Sequence, residues 1–388
     1  MCSARLPIWL VISFLSLVFL GRSAAGEPET VKVGVCLSLS GAFRSYGVIN
    51  MAGINLFVED YNAKAAETGV HIELVVRDDK GDPDEAAAIV RELATGENIQ
   101  VIVGPVTSGI MFSMIEEAKK HQVVLVSPAA TNPNIGKKDD WAFKILPGDD
   151  YQGAAIAKFF QIQMGFGTAA VILNDHYDYG EVIFQAFRQA FEAGGGKMVS
   201  EQRFTWDLSQ DTLPDFVPML SETKKRAPDM LLLPGYVEEG IAIIKQAEKV
   251  GLDTVFCGGD AWLNQNVIFR AGAGLDDSYY IGGAEIYSST PAAKHFVELL
   301  EMSSDIHLDP ASVNGYDAML LVAEALRQGA RTGPEIRRNF YEMKSFPLAA
   351  GNITLSETSG TGKTLYIYRI QKMGKEFFSE PVYVIEPE

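Results

Sequence analysis

The chain has 388 residues, 47% of them hydrophobic, with 33 Lys and Arg against 50 Asp and Glu and a formal net charge of −17. An acidic surface argues against nucleic acid and anionic lipid as partners. The length exceeds what one hydrophobic core usually supports, so two domains are expected.

Residues 1–25 read as a secretory signal peptide. Arg5 supplies the positive start, Ile8–Leu20 the apolar run and Ser23-Ala24-Ala25 a small-residue cleavage site. That run is shorter than the roughly 20 residues of a membrane span, and no later run is long enough. A soluble protein exported to the periplasm, without membrane insertion and beginning near Gly26, is expected. Cutting the leader removes Arg5 and Arg22 and no acid, which makes the chain more acidic still. The remaining cysteines, Cys36 and Cys257, fall in strand-like runs placed in different lobes, so two buried free thiols are expected rather than a bridge.

From Val31 the chain alternates strands and helices. VKVGVCLSLS is a strand, Gly41–Gly47 a loop, Val48–Asn62 a helix, and His71–Arg77 a strand ending in an acidic turn, Asp78-Asp79-Lys80-Gly81-Asp82-Pro83. That turn reads as solvated, with a cation site the lesser alternative. Asp84–Ala94 is a helix with an acidic first turn. Val101–Val103, Ser108–Gln122 and Val123–Val126 then make a βαβ unit, the sign of a parallel sheet. Trp141–Asp150 reads as an extended crossing between domains. A second series runs from Thr168: strands at AAVILND, Met198–Phe204, Met230–Leu233 and Thr254–Cys257, with helices at Gly180–Ala193, Leu213–Lys225 and Val237–Val250. Tyr279–Glu285 reads as a return crossing. Helices at Pro291–Ser303, Asn314–Gln328 and Glu335–Lys344 precede strand-like ends at Leu365–Ile370 and Val382–Ile385.

Ligands of such sheets bind at the carboxyl ends of the strands. Those ends carry Ser108, then Ala129, Ala130 and Thr131, in the first half, and Tyr179, Tyr236 and Asp260 in the second. Hydroxyls, free N–H groups and a helix N-terminus suit a carboxylate. An acid opposite suits an ammonium, because either charge buried alone costs several kcal/mol. Taken singly, Ser108 also suits a helix N-cap and Asp260 a turn or cap.

Enzyme signatures fail. Ser359-Gly360-Thr361-Gly362-Lys363-Thr364 resembles a phosphate loop, but Glu357 stands at the first glycine position and a strand-like LYIYRI follows, so it reads as a polar turn. No dinucleotide fingerprint, nucleophile elbow or paired metal-binding histidines occur. No cofactor and no metal are expected.

In order and spacing, VKVGVCLSLSG with Tyr46-Gly47, RDDKGDP, VIVGP with Ser108, SPAAT, Asp175 to Tyr179-Gly180, LLLPGY and GGDAW resemble the type I periplasmic binding proteins of the leucine/isoleucine/valine-binding family, the solute receptors of ABC transporters. The resemblance covers essentially all of the mature chain. It implies that Ser108, Ala129 and Thr131 hold a ligand α-carboxylate, that Asp260 binds the α-ammonium, and that Tyr46, Tyr179 and Tyr236 line the pocket. Departures are Asp in place of the frequent Glu at 260, VTSGIM in place of a serine-rich turn, and the bulky Phe43, Arg44 and Trp262 near the site.

The expected architecture is α/β: two Rossmann-like lobes with parallel sheets, joined by three hinge segments near 147–150, 280–285 and 360–364. One lobe takes 26–146 and 285–360, the other 147–284 and 361–388. The expected function is non-enzymatic: the lobes close over a small amino acid, neutral and aliphatic or branched-chain, and deliver it to a membrane permease. A monomer is expected. The alternatives are an aromatic or other carboxylate, an amide, or a sensor docking on a signalling partner.

Overall fold

A computed structural model describes residues 27–136, 141–210, 212–283, 290–304, 310–356 and 360–386. The expected signal peptide lies outside them. The first sheet consists of β1 (Glu29–Leu37), β2 (Val70–Asp78), β3 (Val101–Val103), β4 (Val124–Ser127) and β5 (Ala142–Lys144), all parallel, in the order β2-β1-β3-β4-β5. Its connections are α1 (Arg44–Ala63), α2 (Ala65–Thr68), α3 (Pro83–Gly96) and α4 (Ser108–His121). After α5 (Asp149–Ile162) the second sheet takes β6 (Thr168–Asn174), β7 (Lys197–Phe204), β8 (Met230–Leu233), β9 (Val255–Gly258) and β10 (Ser278–Gly282) in parallel. Their helices are α6 (Asp178–Ala193), α7 (Val217–Arg226), α8 (Val237–Val250) and α9 (Gln265–Ile268).

The chain then forms α10 (Pro291–Met302), α11 (Val313–Arg327) and α12 (Gly333–Glu342), and a small antiparallel sheet of β11 (Phe346–Leu348), β12 (Gly351–Ser356) and β13 (Gly360–Gly362). It ends in the hairpin β14 (Leu365–Met373) and β15 (Glu376–Ile385), which joins the second sheet antiparallel to β10. That sheet runs β15-β14-β10-β9-β8-β6-β7. Two α/β lobes with parallel sheets are thus present, as expected.

The short strands follow from composition. VIV and VLVS are buried throughout, as β-branched strands covered by helices on both faces must be. Strand order reverses between β1 and β3 in one lobe and between β6 and β8 in the other. These are the switch points at which open α/β sheets leave a crevice.

Four readings of local structure change. Trp141–Asp150 is not extended throughout: β5 pairs with β4 in the first sheet, and Asp149 and Asp150 already open α5. Tyr279–Glu285 is a strand of the second sheet up to Gly282, and residues 284 and 285 lie outside the described residues. The helix expected from Leu213 begins at Val217, after Pro214 and with Pro218 in its first turn, where proline is tolerated. The acidic turn is solvated only at Lys80, Asp82 and Pro83. Asp78 accepts hydrogen bonds from Leu39 N, Ser40 Oγ and Lys80 N at 2.9, 2.6 and 2.8 Å. Asp79, fully buried, accepts from Ser38 Oγ and Gly81 N. The two acids tie the loop after β1 to the loop after β2.

The phosphate-loop look-alike also has a structural role. Lys363, between β13 and β14, is fully buried with Nζ 3.8 Å from Asp317 Oδ2 on α11. Asp317 also accepts from Ala349 N at 2.7 Å and Ala350 N at 3.0 Å. Burial pushes its carboxyl up to about 6, against the pull of Lys363. No described helix is long and apolar enough to cross a membrane.

Candidate functional site

A cavity of about 50 Å³ lies between the lobes, where the two switch points face each other. The first lobe brings Tyr46 to it on α1, Ser108 at the start of α4, and Ala129 and Thr131 after β4. The second brings Tyr179, Tyr236 and Asp260, which follow β6, β8 and β9. Close backbone approach sets the position of Tyr46: a Cβ on Gly47 would stand 1.9 Å from the carbonyl oxygen of Ser38.

Thr107, not Ser108, caps α4, accepting from Ile110 N at 3.4 Å. Ser108 Oγ instead accepts from Thr131 N at 3.2 Å and Asn132 N at 3.1 Å. A hydroxyl has two acceptor sites and one proton, so with both acceptor sites engaged Ser108 meets a ligand as a donor. The N–H groups of the β4 loop are not free, contrary to expectation. Ala129 and Ala130 donate to Ser127 Oγ at 3.2 and 2.7 Å, and Ser127 in turn donates to Pro105 O at 2.6 Å. Ala130 is buried behind the loop and does not line the cavity.

On the opposite wall Tyr179 donates to Asp260 Oδ1 at 2.6 Å and accepts from Ala261 N at 3.2 Å. Burial raises the Asp260 carboxyl, against the opposing pull of Tyr179. Its neighbour Asp149, at the first position of α5, is fully buried, with the Thr131 side chain as its hydrogen-bonding neighbour. Burial, then repulsion from Asp260, pushes Asp149 well above the ordinary carboxylate range. Burial lowers Lys144 nearby. Sequence reasoning passed over Asp149 because it read Trp141–Asp150 as an extended crossing and not as the start of a helix.

Trp262 does not line the cavity either. Its ring is fully buried against Gly240 and Gly258, where a Cβ would stand 2.7 and 2.1 Å away. Three asparagines also reach the cavity and were not anticipated: Asn50, Asn264 and Asn314. Asn50 sits in the largely apolar stretch VINMAGINLFV, one residue from Ile49 on the face that this helix was expected to bury, which could have signalled it.

The lobes meet directly along one side. Tyr46 OH accepts from Val237 N, at the start of α8, at 2.9 Å, and Ser45 Oγ donates to Glu238 Oε1 at 2.9 Å. The Tyr236 ring stacks on Tyr179 at 5.2 Å and packs against Phe43 at 5.0 Å. Among the described residues no group of three His, Cys, Asp or Glu could hold a metal ion. Cys36 and Cys257 are free and buried.

The sequence profile described as periplasmic binding protein matches residues 30–375. The chain belongs to the periplasmic binding protein family. Among relatives, this periplasmic binding protein is 23% identical over 342 residues to a Leu/Ile/Val-binding protein of Rhizobium johnstonii, spanning 87% of this chain and 91% of the relative. It is 24% identical over 354 residues to the leucine-, isoleucine-, valine-, threonine- and alanine-binding protein of Pseudomonas aeruginosa, spanning 88% and 92%. Its fold matches the branched-chain amino acid transporter substrate-binding protein of Streptococcus pneumoniae, solved with isoleucine, with TM-score 0.81 and 26% identity over 92% of this chain and 100% of that one. A Rhodopseudomonas palustris solute-binding protein solved with 3,4-dihydroxybenzoic acid shares the fold at TM-score 0.80, 21% identical over 92% and 98%.

Proposed function

We propose that this protein is an exported, non-enzymatic receptor of an ABC importer that closes its lobes over a small zwitterionic amino acid. One observation carries the reading. A single cavity has an obligate donor, Ser108, on one lobe and an acceptor acid, Asp260, on the other. The carboxylate would meet Ser108 and Thr131, and the ammonium Asp260, with Tyr46, Tyr179 and Tyr236 closing round the ligand. Neither ligand charge would then be buried alone.

In this reading the lobes are 26–146 with 285–360 and 147–284 with 361–388, and they move as rigid bodies about three crossings. Residues 1–25 are removed on export, and the periplasmic monomer hands its ligand to a membrane permease. Amino acids should bind without being turned over. Titration calorimetry with neutral L-amino acids, alongside benzoate-type acids that lack an amine, tests the assignment. Binding confined to amino acids supports it, whereas tight binding of amine-free aromatic acids and of no amino acid would overturn it.

A further inference from the structure

Three further polar side chains line the cavity. Asn50 on α1, Asn314 on α11 and Asn264 after β9 line it while being 3%, 6% and 3% exposed. All three amide oxygens are without a hydrogen-bond partner among the described residues, and in Asn264 so is the amide nitrogen. Asn50 Nδ2 donates to Tyr46 O at 2.9 Å, which leaves its oxygen as an acceptor. Gly315 holds Asn314 close by: a Cβ there would stand 2.0 Å from the Asn50 carbonyl oxygen, so α1 and α11 pack backbone to backbone.

Buried amides with nothing to bond are costly, and three converging on one ligand cavity call for a polar partner. We propose that the ligand's distal end carries a hydrogen-bonding group, a carboxamide or hydroxyl, received by Asn50, Asn264 and Asn314. This rests on the amino-acid reading of the other end, and it departs from the aliphatic side chain expected at first. A hydrocarbon tip would bury the amides unanswered. A site built to hydrogen-bond a ligand group rejects the isostere that lacks it far more strongly than an apolar pocket rejects a change of size.

The test uses isosteric pairs. Asparagine and leucine differ at the tip by a carboxamide against two methyls, and threonine and valine by a hydroxyl against a methyl. Calorimetric titration of the wild-type protein should find the polar member of each pair tighter by about tenfold or more. In Asn264→Leu the preference should fall to about threefold or less, because that side chain has both ends of its amide available. Should the variant not fold, the wild-type ratios decide alone. Succinamate and 4-methylpentanoate repeat the first comparison without the amine. If they bind as well as the amino acids, the ammonium assignment fails while their ratio still judges the distal group. Leucine or valine binding as tightly as its polar partner, an unchanged ratio in Asn264→Leu, or no binding by any of these ligands up to millimolar concentration would overturn the inference.

Discussion

Replacing Asp260 separates an acid kept for a ligand from an acid kept for the fold. Its carboxylate accepts from Tyr179 at 2.6 Å and faces a cavity shared by both lobes. Asp260→Ala removes the proposed partner of a ligand ammonium. Breaking a buried pair from one side costs about 3–5 kcal/mol, roughly two to four decades in Kd. Stability should move the other way. The folded carboxyl is raised above its unfolded value, so its contribution is present below the unfolded pKa and lost as pH rises through the folded one. Above its unfolded value the acid therefore costs stability. Asp260→Asn, which keeps an acceptor for Tyr179, should melt at or above the wild-type temperature, with the advantage fading toward pH 4. Affinity has its own pH signature: only the ionised acid pairs with an ammonium, so binding should weaken on acidification from above the ordinary carboxylate value of about 3.9. The Ala variant should lose that dependence. Titration calorimetry and melting curves between pH 4 and 8 measure all of this. Binding by Asp260→Ala within about threefold of wild type, some 0.7 kcal/mol, together with a lower melting temperature, would refute the reasoning and make Asp260 a structural residue.

Ser108→Ala should weaken binding by about 1.5–3 kcal/mol, the worth of a hydrogen bond to a charge. Unlike Asp260→Asn it should also lower the melting temperature, because Thr131 N and Asn132 N lose their acceptor. Tyr46→Phe removes the acceptor for Val237 N, so closure should lose about 0.5–1.5 kcal/mol and small-angle scattering should record a larger radius of gyration without ligand; an unchanged radius counts against this contact as a latch. Lys363→Met strands Asp317, at a cost of about 3–5 kcal/mol at pH 7. With Asp317 raised to about 6, the loss should be smaller at pH 5, where the acid protonates, and Asp317→Asn in the same chain should restore much of it. Equal losses at both pH values in chemical denaturation would argue against the buried ion pair.

Most of the architecture was legible because parallel strands buried on both faces are written as short β-branched runs, and the turns after them hold the cavity residues. What escaped has physical causes. In α5, DDYQGAAIAKFFQI is buried on much of its surface, so it lacks the one-sided stripe that announces a helix. In the small sheet β11–β13, the outer strands have three residues each, too few to show an alternation. Trp262 shares a turn with Asp260, yet the glycines at 240 and 258 open a slot that draws its ring into the core. Nothing local to Trp262 marks that. Asn50 and Asn314 were missed for a related reason: a polar residue in a helix is assumed to face water until the packing of other helices is known. Asp149 fell in a stretch read as extended, and Asn264 beyond the end of a strand.

The bonds from Tyr46 to Val237 and from Ser45 to Glu238 join protein to protein, so in the proposed closing motion they favour the shut arrangement whatever the cavity holds. Part of the work of closing is thereby shared by every ligand, and it raises the population able to bind, which tightens apparent affinity for all of them alike. Such a clasp supplies retention without discrimination. The ability to tell one solute from another then falls on the few polar atoms inside the cavity, and a loosened clasp should yield a receptor that binds more weakly but ranks its ligands in the same order.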